Sequence, residues 1–196
     1  MRRLILQMQS SIDGFVGARG AFDWTVWDWG PHWAWDDALK AAFNATFERV
    51  DTILLSRPMA EEGYLTHWGN AARSHPADPA YAFAGRIVGL DKILASRTLD
   101  RSRWERTELV AGPLAAGVAA VKGRPGGDLI CFGGAGFGRA LLQAGLVDEL
   151  QLYVNPTALG AGIPLIPGPL RMRLLDARPY ACGIVVSRYA PLAAGA

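Results

Sequence analysis

The chain is short of cysteine, histidine and charge. Its 196 residues include two Cys and three His, and Asp, Glu, Lys and Arg together make up 19%. Cys131 and Cys182 have no CxxC spacing, which excludes a disulfide scaffold and a zinc site, and both sit in apolar, strand-like runs, where cysteine acts as a small buried hydrophobe. His32, His67 and His75 lack metal-ligand spacing, and no Ser-His-Asp or Cys-His set for covalent catalysis is evident. The 20 basic and 18 acidic residues are spread without a long Lys/Arg run, so there is no electrostatic footprint for nucleic acid. Long apolar runs are missing too. Behind Arg2 and Arg3 the first apolar stretch is interrupted by Gln7, Gln9 and Asp13 before a signal-peptide core or a membrane span of about 20 residues can form. The expectation is a soluble, cytoplasmic protein with no nucleic-acid and no membrane partner.

What the chain does have is apolar content, 51%, together with 23 Gly, 12 Pro and seven Trp, of which Trp24, Trp27, Trp29, Trp33 and Trp35 are clustered. Gly and Pro stay below the roughly 25–30% that marks low complexity. A chain of this length buries a core without staples, and one domain over residues 1–196 is expected.

Leu4 to Met8 reads as a buried strand closed by Asp13-Gly14. Asp36 or Asp37 can cap a helix whose apolar positions recur up to Val50. Asp51 to Leu55 is a second strand, ending at Ser56-Arg57-Pro58, with Pro58 suited to a first helical turn. The polar stretch from Thr66 to Pro79 reads as a surface loop, followed by a short helix over Ala80 to Val88. Strands at Lys92 to Ala95, Glu108 to Ala111 and Asp128 to Phe132 alternate with helices after Pro113 and after Gly133-Gly134-Ala135-Gly136. That alternation predicts a mainly parallel α/β sheet. After Gly145 come strands at Glu149 to Val154, Met172 to Ala177 and Gly183 to Tyr189, with a Gly/Pro-rich loop at Gly160 to Pro169 and no helix, which predicts an antiparallel extension.

In such a sheet, ligands bind beyond the carboxyl ends of the strands, where helix N-termini favour phosphate. Three strands end suggestively: in Ser56-Arg57, in Ser96-Arg97-Thr98, and in the glycines from Gly133 to Gly136. The last is neither a GxGxxG nor a P-loop pattern. Together, two Arg-plus-hydroxyl ends and one Gly-rich turn favour a nucleotide carrying an extra phosphate, of which NADP is the commonest.

An ordered set of short segments carries a family likeness: Leu4 to Gly17 with Ser11-Ile12-Asp13-Gly14, Asp51 to Arg57, Ser96-Arg97-Thr98-Leu99, Phe132-Gly133-Gly134, Gly145 to Leu150, and Leu159-Gly160-Ala161-Gly162. On these the chain resembles the dihydrofolate-reductase-like superfamily and, within it, stand-alone relatives of the riboflavin-biosynthesis reductase domain. The resemblance implies a three-layer α/β fold and an NADPH-dependent reductase. It assigns Ser56, Arg57, Ser96 and Arg97 to the adenosine 2′-phosphate, Gly133, Gly134, Ala135 and Gly136 to the pyrophosphate, and Met8, Gln9, Val16 and Gly17 to the nicotinamide. Leu159 and Gly160 fall at the substrate end. Ser56 departs from the Gly usual at its place. The nucleotide-deaminase companion domain of that family is not in this chain, which has no HxE with PCxxC.

The implied substrate is a small molecule with a C=N or C=O bond, such as a pterin or a pyrimidine precursor. Catalytic candidates are Asp36 or Asp37, near the acidic residue that binds pterin in folate reductases, and Asp13. Each also has a local reason to exist, as a helix cap or in an Asp-Gly turn. The tryptophan cluster, with Trp24 and Trp27 as the substrate candidates, reads equally as an aromatic wall for a flat substrate and as a hydrophobic plug or a contact in the expected homodimer. A dihydrofolate reductase proper and a non-catalytic nucleotide sensor are the alternatives.

Overall fold

Leu4–Ser10 forms strand β1, buried along its whole length, and a turn at Gly14 leads into the short β2, Phe15–Ala18. The structure is a computed structural model that describes residues 1–19 and 35–192. Helix α1, Asp37–Thr46, is followed by β3, Val50–Ser56, the short α2, Arg57–Glu61, α3, Tyr64–Ser74, and α4, Ala82–Gly89. Then come β4, Asp91–Ala95, β5, Thr107–Val110, α5, Leu114–Lys122, β6, Asp128–Cys131, α6, Ala135–Gln143, and β7, Glu149–Val154. The chain closes with β8, Gly162–Pro164, β9, Met172–Pro179, and β10, Val185–Pro191.

Eight strands make one sheet in the order β5-β4-β3-β6-β1-β7-β10-β9. The first six run parallel, while β10 is antiparallel to β7 and β9 to β10. β2 and β8 pair antiparallel in a separate two-stranded sheet.

Strand alternation sends apolar side chains to both faces, as a sheet covered on two sides requires. Ile5, Ile53, Leu55 and Ile130 meet Leu39 and Phe43 of α1, Trp68 of α3 and Phe83 of α4. Leu4, Leu6, Leu54, Leu129 and Cys131 meet Val118 and Val121 of α5 and Leu141 and Leu142 of α6. The result is a three-layer α/β fold with a mostly parallel central sheet. Among the described residues no helix is long and apolar enough to cross a membrane.

Three local expectations need correction. Residues 64–74 form helix α3 where a loop was expected from Thr66: Tyr64, Leu65, Trp68, Ala71 and Ala72 recur at helical spacing and pack inward, and the polar residues occupy the solvated face. The helix read up to Val50 stops at Thr46, and Val50 already belongs to β3, where it is 3% exposed. The Gly/Pro-rich stretch contains β8, which exists because β2 offers it a partner. Cys131 is buried and Cys182 half-buried, both as free thiols. Of the tryptophan cluster, Trp35 is a core residue stacked on Tyr153 with ring centroids 5.3 Å apart. Trp24, Trp27, Trp29 and Trp33 lie outside the described residues.

Candidate active site

The three strand ends singled out above lie side by side, because β4, β3 and β6 are consecutive in the sheet. At the end of β3, Ser56 caps α2 by accepting the Met59 N–H at 3.4 Å, and Pro58 lies in the first turn. Arg57 opens that helix. Its Nε donates to Glu61 at 3.0 Å and its terminal nitrogen to the Thr98 hydroxyl at 2.6 Å, which ties the end of β3 to the end of β4. There, the buried Ser96 hydroxyl accepts the N–H groups of Thr98 and Leu99 at 3.3 and 3.2 Å, shaping a tight turn that leaves Arg97 exposed.

β6 runs into Gly133, whose φ of 132° is a conformation that side-chain-bearing residues rarely adopt. Gly134 then sits at the cap position of α6 with no side chain to satisfy the first-turn amides. A Cβ at Gly136 would meet nothing within 4 Å, so this turn faces open space. The free amides and the helix dipole make it a site for negative charge.

These elements wall a cleft of about 1470 Å³. Ser56, Arg57, Ser96, Arg97, Thr98, Gly134 and Gly136 line it, with Tyr64, Trp68, Phe132 and Phe137 as aromatic surface and Pro113 and Leu114 opposite. Its volume exceeds the roughly 300–1,000 Å³ of ordinary ligand pockets, which is room for a dinucleotide and a second molecule. Burial pushes the Tyr64 hydroxyl well above its ordinary value, so it stays protonated at neutral pH. His67 stands edge-on to Trp68 at 4.6 Å on the same wall.

His67 and Trp68 were missed because their segment reads as polar loop, and Tyr64, just ahead of it, was assigned to no element. Their i, i+3, i+4 spacing on one helix face was the available signal. Phe137, Pro113 and Leu114 carry no sequence signal beyond following a Gly-rich turn and opening a helix.

The remaining expected residues lie elsewhere. Gly133 and Ala135 are in the turn but not on the wall of the cleft. Met8 is buried among the apolar residues beneath α6, and Gln9 accepts the Asn155 amide at 3.0 Å. Val16 and Gly17 are in β2, where a Cβ at Gly17 would press on Ile163 of β8 at 3.2 Å. Asp13 accepts the Ser11 hydroxyl at 2.5 Å and the N–H groups of Leu159 and Gly160 at 3.1 and 2.7 Å. The Ser11 hydroxyl first, and those amides after it, hold the Asp13 carboxyl below the usual carboxylate range. Asp36 caps α1 through the Leu39 N–H at 2.8 Å and also accepts the Cys182 N–H at 3.0 Å, and these two bonds lower its carboxyl. The Asp37 side chain is fully exposed and pairs with Lys40 at 3.8 Å. Among the described residues no group of His, Cys, Asp and Glu is placed to hold a metal ion.

A family model described as the RibD C-terminal domain matches residues 2–186. The chain is similar to the uncharacterized protein YyaP of Bacillus subtilis (strain 168), 26% identical over 189 residues that span 94% of this chain and 92% of that one. It is similar in fold to a putative riboflavin biosynthesis protein from Shewanella sp. PV-4, with a TM-score of 0.64 at 21% identity over 97% of this chain and 99% of that one. Dihydrofolate reductase from Enterococcus faecalis, complexed with NADP(H), shares the fold with a TM-score of 0.56 at 13% identity over 96% of each chain.

Proposed function

Since the chain belongs to the RibD C-terminal domain family, we propose that it is an NADPH-dependent reductase that adds hydride to a C=N or C=O bond of a small heterocyclic substrate, pterin- or pyrimidine-like. One observation carries the reading. The Arg57–Thr98 bond joins two strand ends into a cationic, hydroxyl-rich corner, and the uncapped start of α6 lies on the wall of the same cleft.

The residues present fit the cofactor. Arg57, Arg97, Ser96 and Thr98 offer guanidinium and hydroxyl donors to a 2′-phosphate, the dianion that separates NADPH from NADH. The amides of Ala135, Gly136 and Phe137 are free to receive a pyrophosphate, and open space at Gly136 lets it approach the backbone. When bound, the cofactor's nicotinamide supplies the hydride.

Phe132, Phe137, Tyr64 and Trp68 exclude water from the walls of the cleft. The family likeness assigns Met8, Gln9, Val16 and Gly17 to the nicotinamide and Leu159 and Gly160, with Trp24 and Trp27, to the substrate. In this reading Asp13 and Asp36 are positioning residues. Asp13 holds the loop at Leu159 and Gly160, Asp36 holds the start of α1 against the turn at Cys182, and protonation of the substrate falls to water.

Titration with NADPH and NADH, followed by stopped-flow oxidation of bound NADPH against a panel of pterins and aminopyrimidines, tests the assignment. Tight NADPH binding with oxidation by a panel member is the expected result. Binding without oxidation by any substrate would point to a nucleotide sensor, and failure to bind NADPH would end both readings.

A further inference from the structure

β1 and β7 run side by side, and the face they turn toward α1 is a polar one. Ile5 fixes that face of β1 by packing with Leu39 and Phe43 of α1, and alternation adds Gln7 and Gln9 to it. Their register partners Glu149, Gln151 and Tyr153 share the face on β7. Gln7, Gln9 and Gln151 are all buried. A buried carboxamide has two ends to satisfy, an oxygen that accepts and a nitrogen that donates.

Gln7 and Gln151 do this in a chain that starts at the buried Glu149 carboxylate. Glu149 accepts the Gln151 nitrogen at 2.8 Å, so the Gln151 oxygen faces Gln7 and accepts its nitrogen at 3.3 Å. The Gln7 nitrogen also reaches the Tyr153 hydroxyl at 3.0 Å.

Gln9 stands apart from that chain. Its Oε1 accepts the Asn155 Nδ2 at 3.0 Å, and the same Nδ2 donates to the main-chain carbonyls of Ser10 at 3.2 Å and Tyr153 at 3.0 Å. Two carbonyls around one terminal atom admit only a nitrogen there, so the Asn155 amide has a single setting. The Asn155 main-chain N–H, bonded to the Ser10 carbonyl at 2.7 Å, holds its base. The Gln9 amide is fixed in consequence, oxygen toward Asn155 and nitrogen away from it. That nitrogen donates to no described residue. Gln9 is only 6% exposed, and its nitrogen keeps part of that exposure, so it opens on accessible space.

Gln9 lies near the carboxyl end of β1, where ligands of a parallel sheet bind. The other neighbour of β1 is β6, whose end is the glycine turn at the start of α6. One strand spacing, about 4.8 Å, separates that turn from β1, within reach of the second half of a dinucleotide.

We propose that Asn155 is a positioning residue that makes the Gln9 carboxamide a donor-only contact, and that the oxygen Gln9 receives is the carboxamide carbonyl of the cofactor's nicotinamide. This rests on the NADPH reading above. A glutamine free to turn over would meet that carboxamide either way round. One locked by Asn155 receives only its carbonyl, which removes one of two settings of the ring and of the hydride it carries.

Calorimetric titration with NADPH and with 2′-phospho-ADP-ribose, which lacks the nicotinamide, tests the contact apart from the phosphates. Asn155→Asp keeps the shape of asparagine without its donor, so Gln9 turns its nitrogen to the new carboxylate and its oxygen to the ring. NADPH should weaken roughly tenfold in Asn155→Asp and roughly fivefold in Gln9→Met, the scale of one hydrogen bond, with 2′-phospho-ADP-ribose within about twofold of the wild type. Gln9→Met keeps the test valid if Asn155→Asp does not fold. In the Gln9→Met background, Asn155→Asp should cost little more, because it acts through Gln9. Equal losses for the two ligands, NADPH affinity unchanged in both variants, or full additivity in the double variant would each overturn the proposal. A wild type that binds neither ligand ends the NADPH reading and this contact with it. One that binds both, with variants that do not separate them, ends the contact alone.

Discussion

The guanidinium of Arg57 donates to Glu61 and to Thr98, and Arg103 donates to the same Glu61, while Arg97 lines the cleft beside Arg57. The two guanidinium groups on the wall suit a phosphate dianion, and the bond to Thr98 holds Arg57 in place before a ligand arrives. Replacing Arg57 or Arg97 by Ala is expected to weaken NADPH by roughly tenfold to a hundredfold, about 1.5–3 kcal/mol for a charge-assisted phosphate contact, and to leave NADH nearly unchanged. Calorimetric titration of both cofactors checks this, and an equal loss for the two would remove the 2′-phosphate assignment. Asp13 supports a different expectation. Asp13→Asn should speed amide hydrogen exchange at Leu159 and Gly160 without altering NADPH affinity, and exchange rates that stay as they are would show that this carboxylate holds nothing. The acids were visible in the sequence as residue types, and their roles were not. Asp13 and Asp36 each reach backbone amides 146 residues along the chain, and no local pattern reports such a partner.

Helix α6 is the element that couples the Gly-rich turn to the cleft. A side chain at Gly134 could cap the helix and would then compete for the amides that a phosphate needs. Gly136, in the first turn, offers the cleanest probe. Gly136→Asp places a negative charge where the helix dipole favours it and a pyrophosphate would clash with it. The variant should melt no lower than the wild type, yet bind NADPH and NADH at least tenfold more weakly and by similar factors. A loss confined to NADPH would place the pyrophosphate elsewhere. Arg57→Ala and Gly136→Asp thus dissect the cleft into a part that reads the extra phosphate and a part common to both cofactors. The turn of α6 was legible because glycine spacing is a local property. Helix α3 was not: its polar residues are as many as the apolar ones that pack inward, and composition outweighed period in the reading.

At the scale of the molecule, a charge cluster at the amino ends of the strands, away from the cleft, sets the response to acid. Glu149 is fully buried at the start of β7 and accepts bonds from Arg188 at 2.7 Å, Gln151 at 2.8 Å, Arg49 at 3.3 Å and Arg3 at 3.5 Å. Burial by itself would push this carboxyl up; the Arg188 and Gln151 hydrogen bonds and the charges of Arg188 and Arg49 outweigh it and hold the group at about 2. That value lies below the roughly 4.3 of an unfolded glutamate, so ionised Glu149 stabilises the fold above pH of about 4, and the contribution drains away as pH falls toward 2. Glu149→Gln should therefore cost stability at neutral pH, by about 3 kcal/mol since the arginines are partly solvated, and the gap to the wild type should close in acid. Urea unfolding at pH 7 and pH 3 measures both, and a gap independent of pH would assign the stabilisation to another group. The sequence by itself determined the eight strands of the main sheet, most of the helices, the parallel-then-antiparallel plan and the three strand-end signals, because apolar period and glycine placement act within a few residues. The tertiary structure alone decided that β4, β3 and β6 are neighbours sharing one cleft, that α3 forms a wall of it, and that Asp13 and Asp36 clasp distant amides. Each of these depends on which remote segment packs or pairs alongside, and a single stretch of chain carries no record of that.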